Sequence, residues 1–185
     1  SSDLYDNGKL HLFTKNWVTN NTTQHYTVPA TAGTYTATKL DNFVTDGVLI
    51  TGATKMNDMT IALLGYNNKD VVGALSTRAW IWLISGFADM DRVFSSATNT
   101  RKIDLGSVLG AGQVEGITAV KQRRALITNE RITTSFLTIP AQLGGVEFGS
   151  LVTLPEGLTN FTSQLSDNKV SLTWEYNQPD ASYFE

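Results

Sequence analysis

Residues 46–67, DGVLITGATKMNDMTIALLGYN, decide the fold. Two apolar runs, GVLITGA and MTIALLGY, flank a polar turn at residues 55–58, and short apolar runs bounded by turn residues read as paired strands. The outline returns at residues 114–131, VEGITAVKQRRALITNER, where an acidic residue and a glycine lead a strand, a basic turn follows and a second strand closes in polar residues. One sheet unit is therefore repeated.

Outward from this pair, AWIWLISGF (79–87) is the most hydrophobic strand in the chain and RKIDL (101–105) a short outer one. Upstream, GKLHLFT (8–14) and QHYTV (24–28) form a hairpin about the loop TNNTT, and residues 34–40 alternate Thr with Tyr or Ala as an exposed outer strand does. Downstream, RALIT and SFLTI continue the second copy. Superposed, the copies give four strands per unit: an inner strand led by Asp46-Gly47 or Glu115-Gly116, a strand ending in a polar pair, an aromatic-rich strand and a Thr- or charge-bearing outer strand. The polar pairs are Lys15-Asn16, Tyr66-Asn67 and Asn129-Glu130.

Repeated four-stranded meanders are the signature of a β-propeller. The repeat is about 69 residues, against roughly 40–50 in familiar propeller repeats, and the loops at 68–78 and 89–100 absorb the excess. The chain then opens at a second strand, holds one complete unit at 46–105 and begins a third, about two and a half blades where closed propellers have roughly four to eight. The fold class is all-β. Residues 1–143 read as a partial β-propeller whose missing blades come from the same or another chain, 144–157 as a Gly- and Pro-bearing linker, and 158–185 as the first strands of a β-sandwich, at 169–176 and 182–185.

Composition agrees with β structure. The 185 residues are 41% hydrophobic and 17% charged, with abundant Thr beside Val, Ile and aromatics. A formal charge of −3 and a pI near 5.3 give no footprint for nucleic acid or anionic membrane. The basic cluster Lys121, Arg123 and Arg124 reads as a solvated turn. With no cysteine, disulfides, thiolate catalysis and cysteine zinc sites are excluded. No apolar run approaches the roughly 20 residues of a transmembrane helix, and the opening SSDLYDNGK is not a signal peptide.

The succession KLHLFTKNW, YTVPATAGTYTA, LITGAT, ALLGYN, WIWLISGF, RKIDL, QVEGITAV and ALITNE resembles the C-terminal half of a propeller-type domain in cell-surface and secreted proteins of bacteria with a type IX secretion system. The tail VSLTWEYNQPDASYFE is similar to the opening of the immunoglobulin-like module that often precedes a type IX sorting domain. The resemblance implies export and display on the outer-membrane surface or release from the cell, with partners among surface proteins, glycans and secretion-system components. It carries over no catalytic residue.

Candidate chemistry is sparse. Asp46 and Glu115, as equivalent inner-strand starts, could line one mouth of a propeller channel and hold Ca²⁺ through carboxylate oxygens, though two carboxylates fall short of the roughly six to eight ligands Ca²⁺ takes. The bland reading is that they cap turns or pair with neighbours. Trp80 and Trp82 lie two apart on one strand face and either form an aromatic shelf for a ligand or pack between sheets. His11 and His25 fall on strands of one hairpin but lack a third metal ligand. Gly110 and Gly112 make a GxG without the helix of a phosphate cradle. No serine sits in a GxSxG elbow and neither histidine has a recognisable relay partner. A binding or scaffold module is the first expectation; the alternative is a hydrolase-like propeller enzyme using channel carboxylates or a bound metal.

Overall fold

Asn7 and Gly8 both take positive φ, 44° and 79°. Two successive residues in that region make the tight hairpin turn whose twist suits paired strands. It joins β1 (Ser2–Asp6) to β2 (Lys9–Phe13), with Ser2 opposite Phe13. Along β1, Ser2 and Leu4 are buried while Asp3 and Tyr5 face out, the period of two expected of a half-buried strand. β3 (Thr22–Pro29) and β4 (Thr38–Val44) complete a four-stranded antiparallel sheet in the order β1-β2-β3-β4. The chain therefore does not open at a second strand. Two apolar residues in SDLYD are too weak a pattern to read unaided.

The computed structural model describes residues 2–17, 21–67, 77–107, 111–133, 138–152, 158–166 and 169–176. They belong to two compact units, Ser1–Thr153 and Leu154–Glu185. The fold is all-β.

The stretch 46–67 is the first hairpin of a second sheet, β5 (Val48–Asn57) and β6 (Thr60–Asn67), extended by β7 (Arg78–Ser85) and β8 (Asn99–Ser107) in the order β5-β6-β7-β8. β5 runs through the expected polar turn as far as Asn57. Seven of the eight residues of β6 are buried, so this sheet is covered on both faces. Alternate residues supply the two cores. Leu49, Leu64, Tyr66, Ile81 and Leu83 pack with Val114 and Ala125 of the next sheet. Val48, Ile50, Leu63, Trp82 and Ile84 pack with Leu4 and Phe13 of the preceding one. At Gly65 a Cβ would lie 2.3 Å from the Leu49 carbonyl oxygen, so no larger residue fits that strand pairing.

The third sheet has the order β9-β10-β13, with β9 (Gln113–Lys121), β10 (Arg124–Glu130) and β13 (Gln142–Glu147). The short pair β11 (Ile132–Thr133) and β12 (Thr138–Ile139) lies in the β10–β13 connection. The remainder of the expected strand SFLTI, residues 135–137, lies outside the described residues. The first strands of successive sheets are neighbours, β1 with β5 and β5 with β9. The Thr51 hydroxyl donates to the Val114 carbonyl at 2.8 Å and the Ala119 N–H donates to Thr54 Oγ1 at 3.0 Å, tying the second sheet to the third.

Residues 142–147, assigned from sequence to the end of the first unit and a linker, form β13, and Phe148 and Val152 are buried in the core beyond it. The division between compact units falls after Thr153. In the second unit β14 (Leu158–Ser166) and β15 (Lys169–Tyr176) form one antiparallel hairpin. β15 matches the expected 169–176 strand, β14 was unread, and 182–185 lies outside the described residues. No helix among the described residues is long and apolar enough to cross a membrane.

Candidate functional site

Asp46 and Glu115 are not equivalent. Asp46 and Gly47 have φ of 52° and 79°, and the Val48 N–H donates to the Thr45 carbonyl, so the pair forms the tight turn leading from the first sheet into the second. The register places Val48 opposite Asn67 and Gln113 opposite Glu130. Gly47 therefore matches Gly112, which also has positive φ (69°), and Glu115 sits inside β9. What recurs is a left-handed backbone position that glycine fills without strain, not an acidic side chain. Among the described residues no three His, Cys, Asp or Glu are grouped to hold a metal ion.

Each carboxylate instead meets its own lysine. Asp46 lies 3.6 Å from Lys102 Nζ, and Glu115 lies 3.3 Å from Lys15 Nζ. Lys15 also stands over the rings of Tyr66 (4.9 Å) and Trp17 (5.0 Å), and Gln113 donates to the Tyr66 hydroxyl. Burial pulls the Lys15 ammonium down, but Tyr66 and Glu115 outweigh it and hold its pKa above the ordinary lysine value.

Trp80 and Trp82 share the β7 face that β8 supplies with Lys102, whose Nζ lies 4.6 Å and 5.0 Å from their ring centroids. Trp82 is 8% exposed and meets Phe43 of β4 edge-to-face at 5.0 Å. It packs between the first and second sheets. Lys102 thus links the tryptophans to Asp46, an association the sequence reading did not make.

The densest polar constellation lies elsewhere. His11 on β2 and His25 on β3 are diagonal neighbours and fully buried, with His11 Nδ1 2.9 Å from His25 Nε2. His25 Nδ1 is 2.7 Å from Asp41 Oδ1 on β4, and Asp41 Oδ2 accepts the N–H groups of Phe94 (2.9 Å) and Ser95 (3.0 Å). Phe13 stacks on the His25 ring at 4.8 Å and Phe94 meets it edge-on at 5.7 Å. Asp41, His25 and His11 form a linear chain across three adjacent strands of one sheet, clamped by the loop between β7 and β8.

The proton order follows from the partners. Burial works to raise the Asp41 pKa, but the His25 hydrogen bond and the two backbone N–H groups outweigh it and hold the carboxyl below its usual range. An ionised Asp41 requires His25 Nδ1 to donate. With a neutral His25 ring, Nε2 accepts, His11 Nδ1 donates and His11 Nε2 keeps its lone pair; a protonated His25 ring would reverse the His11 roles. Burial, with His25 next, lowers the His11 pKa.

His11 lines a cavity of about 120 Å³ with Asp6, Asn7, Lys9, Asp89 and Asp91. A shallower groove of about 600 Å³ shares Asn7, Lys9 and Asp91 with it and continues along Val28, Pro29 and Leu40. Every carboxylate around the cavity is matched by a cation: Asp6 with Lys55 at 2.7 Å, Asp91 with Lys9 at 2.5 Å, and Asp89 with Arg92 at 2.6 Å. Asp41 was missed because its partners lie 16 and 53 residues away, and no local spacing encodes a pairing across three strands.

No family model, curated protein or solved structure matches the chain.

Proposed function

We propose that this chain is part of an exported β-propeller recognition or scaffold module, displayed on the outer-membrane surface or secreted as type IX cargo, and joined to the start of an immunoglobulin-like module. The observation that carries this reading is the order of the sheets. Successive antiparallel meanders follow one another with their first strands adjacent, β1 beside β5 beside β9, as blades do about an axis. The first two sheets have four strands each, and the second is buried on both faces between its neighbours. The resemblance of the strand phrases and of the tail to type IX surface proteins supports export. The pairing of Asp46 and Glu115 with separate lysines favours binding over carboxylate catalysis.

The test is made in the producing cell. Antibody labelling of intact cells and of the culture medium should find the protein outside, and protease added to intact cells should remove it. Retention in the cytoplasmic fraction would overturn the export reading. Hydrolysis by the parent protein that disappears with Glu115→Gln would overturn the recognition reading in favour of the hydrolase-like alternative.

A further inference from the structure

We propose that the cavity at the end of the Asp41–His25–His11 chain is a binding site for a neutral polyhydroxylated ligand, a sugar in chemical class, with one hydroxyl donating to His11 Nε2 and the body of the ligand lying along the adjoining groove. The inference rests on the recognition reading and gives that module its ligand.

Four observations converge on it. His11 is 1% exposed, it lines the cavity, and its Nδ1 is committed to His25, which leaves Nε2 as the ring nitrogen a ligand would use. With His25 neutral and its Nδ1 donating to Asp41, that nitrogen is an acceptor and asks for a donor. The surrounding charge is balanced, since Asp6, Asp89 and Asp91 each hold a cation, and a balanced site selects a neutral ligand over a metal ion or an anion. The lining offers acceptors (the carboxylates and His11) together with donors (Lys9 and Asn7), and a hydroxyl serves both.

Size and shape agree. A cavity of about 120 Å³ has room for a hydroxymethyl or hydroxyl group beside ordered water. The groove, about 600 Å³, lies within the range of small-molecule sites, and Val28, Pro29 and Leu40 present apolar surface to the C–H face of a pyranose ring. Protonation of His11 turns its acceptor into a donor. The charged groups that set this step are His25 on β3, Asp6 on β1, Lys9 on β2 and Asp91 in the turn Met90–Arg92, with Asp41 acting through His25.

The experiment uses the full chain labelled with ¹⁵N-histidine and reads ring-nitrogen shifts during titration with methyl glucoside, methyl galactoside, methyl mannoside, N-acetylglucosamine and xylose. The expected result is Nδ1–H in both histidines of the free protein and a saturable shift of His11 Nε2 with at least one sugar. Affinity should weaken by at least about tenfold once His11 takes up a proton on acidification. Asn7→Gly, which keeps the turn's positive φ, and Lys9→Met, at the cavity rim, should weaken it while the Asp41–His25 resonances stay in place, which keeps the test open should His11→Phe fail to fold. An Nε2–H tautomer in free His11, or no His11 shift with any of the five sugars, would refute the site. Sugar binding with His11 unmoved would refute this site and leave the recognition reading standing.

Discussion

Replacing Asp41 by Asn tests whether one carboxylate holds the first sheet to the loop of the second. Asp41 accepts three hydrogen bonds, from His25 Nδ1 (2.7 Å), Phe94 N (2.9 Å) and Ser95 N (3.0 Å), with its side chain 12% exposed. Asn retains one oxygen for the two backbone N–H groups and turns its amide toward His25. His25 must then move its proton to Nε2, and His11 must follow by moving its own from Nδ1. Loss of a charge-assisted bond at a buried site is worth roughly 1.5–3 kcal/mol, so Asp41→Asn should cost about 2–3 kcal/mol. Asp41→Ala leaves the loop N–H groups and His25 without an acceptor and should cost about 3–5 kcal/mol, since each buried donor left unsatisfied costs about 1–3 kcal/mol. Urea denaturation at neutral pH reads both, with the slope unchanged if compactness is preserved. Costs below about 0.5 kcal/mol for both variants, the level of an ordinary surface substitution, would refute the reasoning.

Acid should destabilise the wild type in two stages. The His11 pKa is lowered in the fold, so stability begins to fall as pH drops below the unfolded-state value near 6.5; Asp41, also lowered, adds a further loss below about pH 4, and Asp41→Asn should flatten that second stage. Gly65→Ala should cost about 3 kcal/mol by thermal or urea melting because its Cβ would lie 2.3 Å from the Leu49 carbonyl oxygen, whereas Gly52→Ala, whose Cβ would lie 3.0 Å from Ile117 Cγ2 and 3.1 Å from its backbone N, should cost less. Thr51→Val should lose about 1 kcal/mol in the same assay by removing the inter-sheet bond to Val114. Lys102→Met should cost no more than about 1 kcal/mol, since Asp46 is exposed, while shifting the tryptophan fluorescence. Calcium should leave the melting temperature unchanged, which a differential scanning experiment with and without chelator reads directly.

The sheets were legible where periodicity is local. The hairpin at 46–67, the apolar β7 and the strand at 169–176 follow from runs of apolar residues between turns. β1 was not, because five residues with two apolar positions acquire meaning only when the Asn7-Gly8 turn folds them back on β2. The repeat is legible in the sequence but its phase is not. Asp46-Gly47 and Glu115-Gly116 look alike as letters, while the constraint that recurs is the positive φ of Gly47 and Gly112. His11 and His25 were correctly placed on one hairpin, yet their relay partner Asp41 lies on the next strand and its other partners on a distant loop. Long-range polar networks leave no spacing signature, so this one became visible only with the register.

The claim that this module recognises a ligand without transforming it meets its most direct test in one time-resolved NMR experiment on the parent protein. A ligand that moves the His11 resonances should be recovered chemically unchanged after prolonged incubation, its shifts reversing on dilution. New product signals growing with time and vanishing in Glu115→Gln would contradict the account.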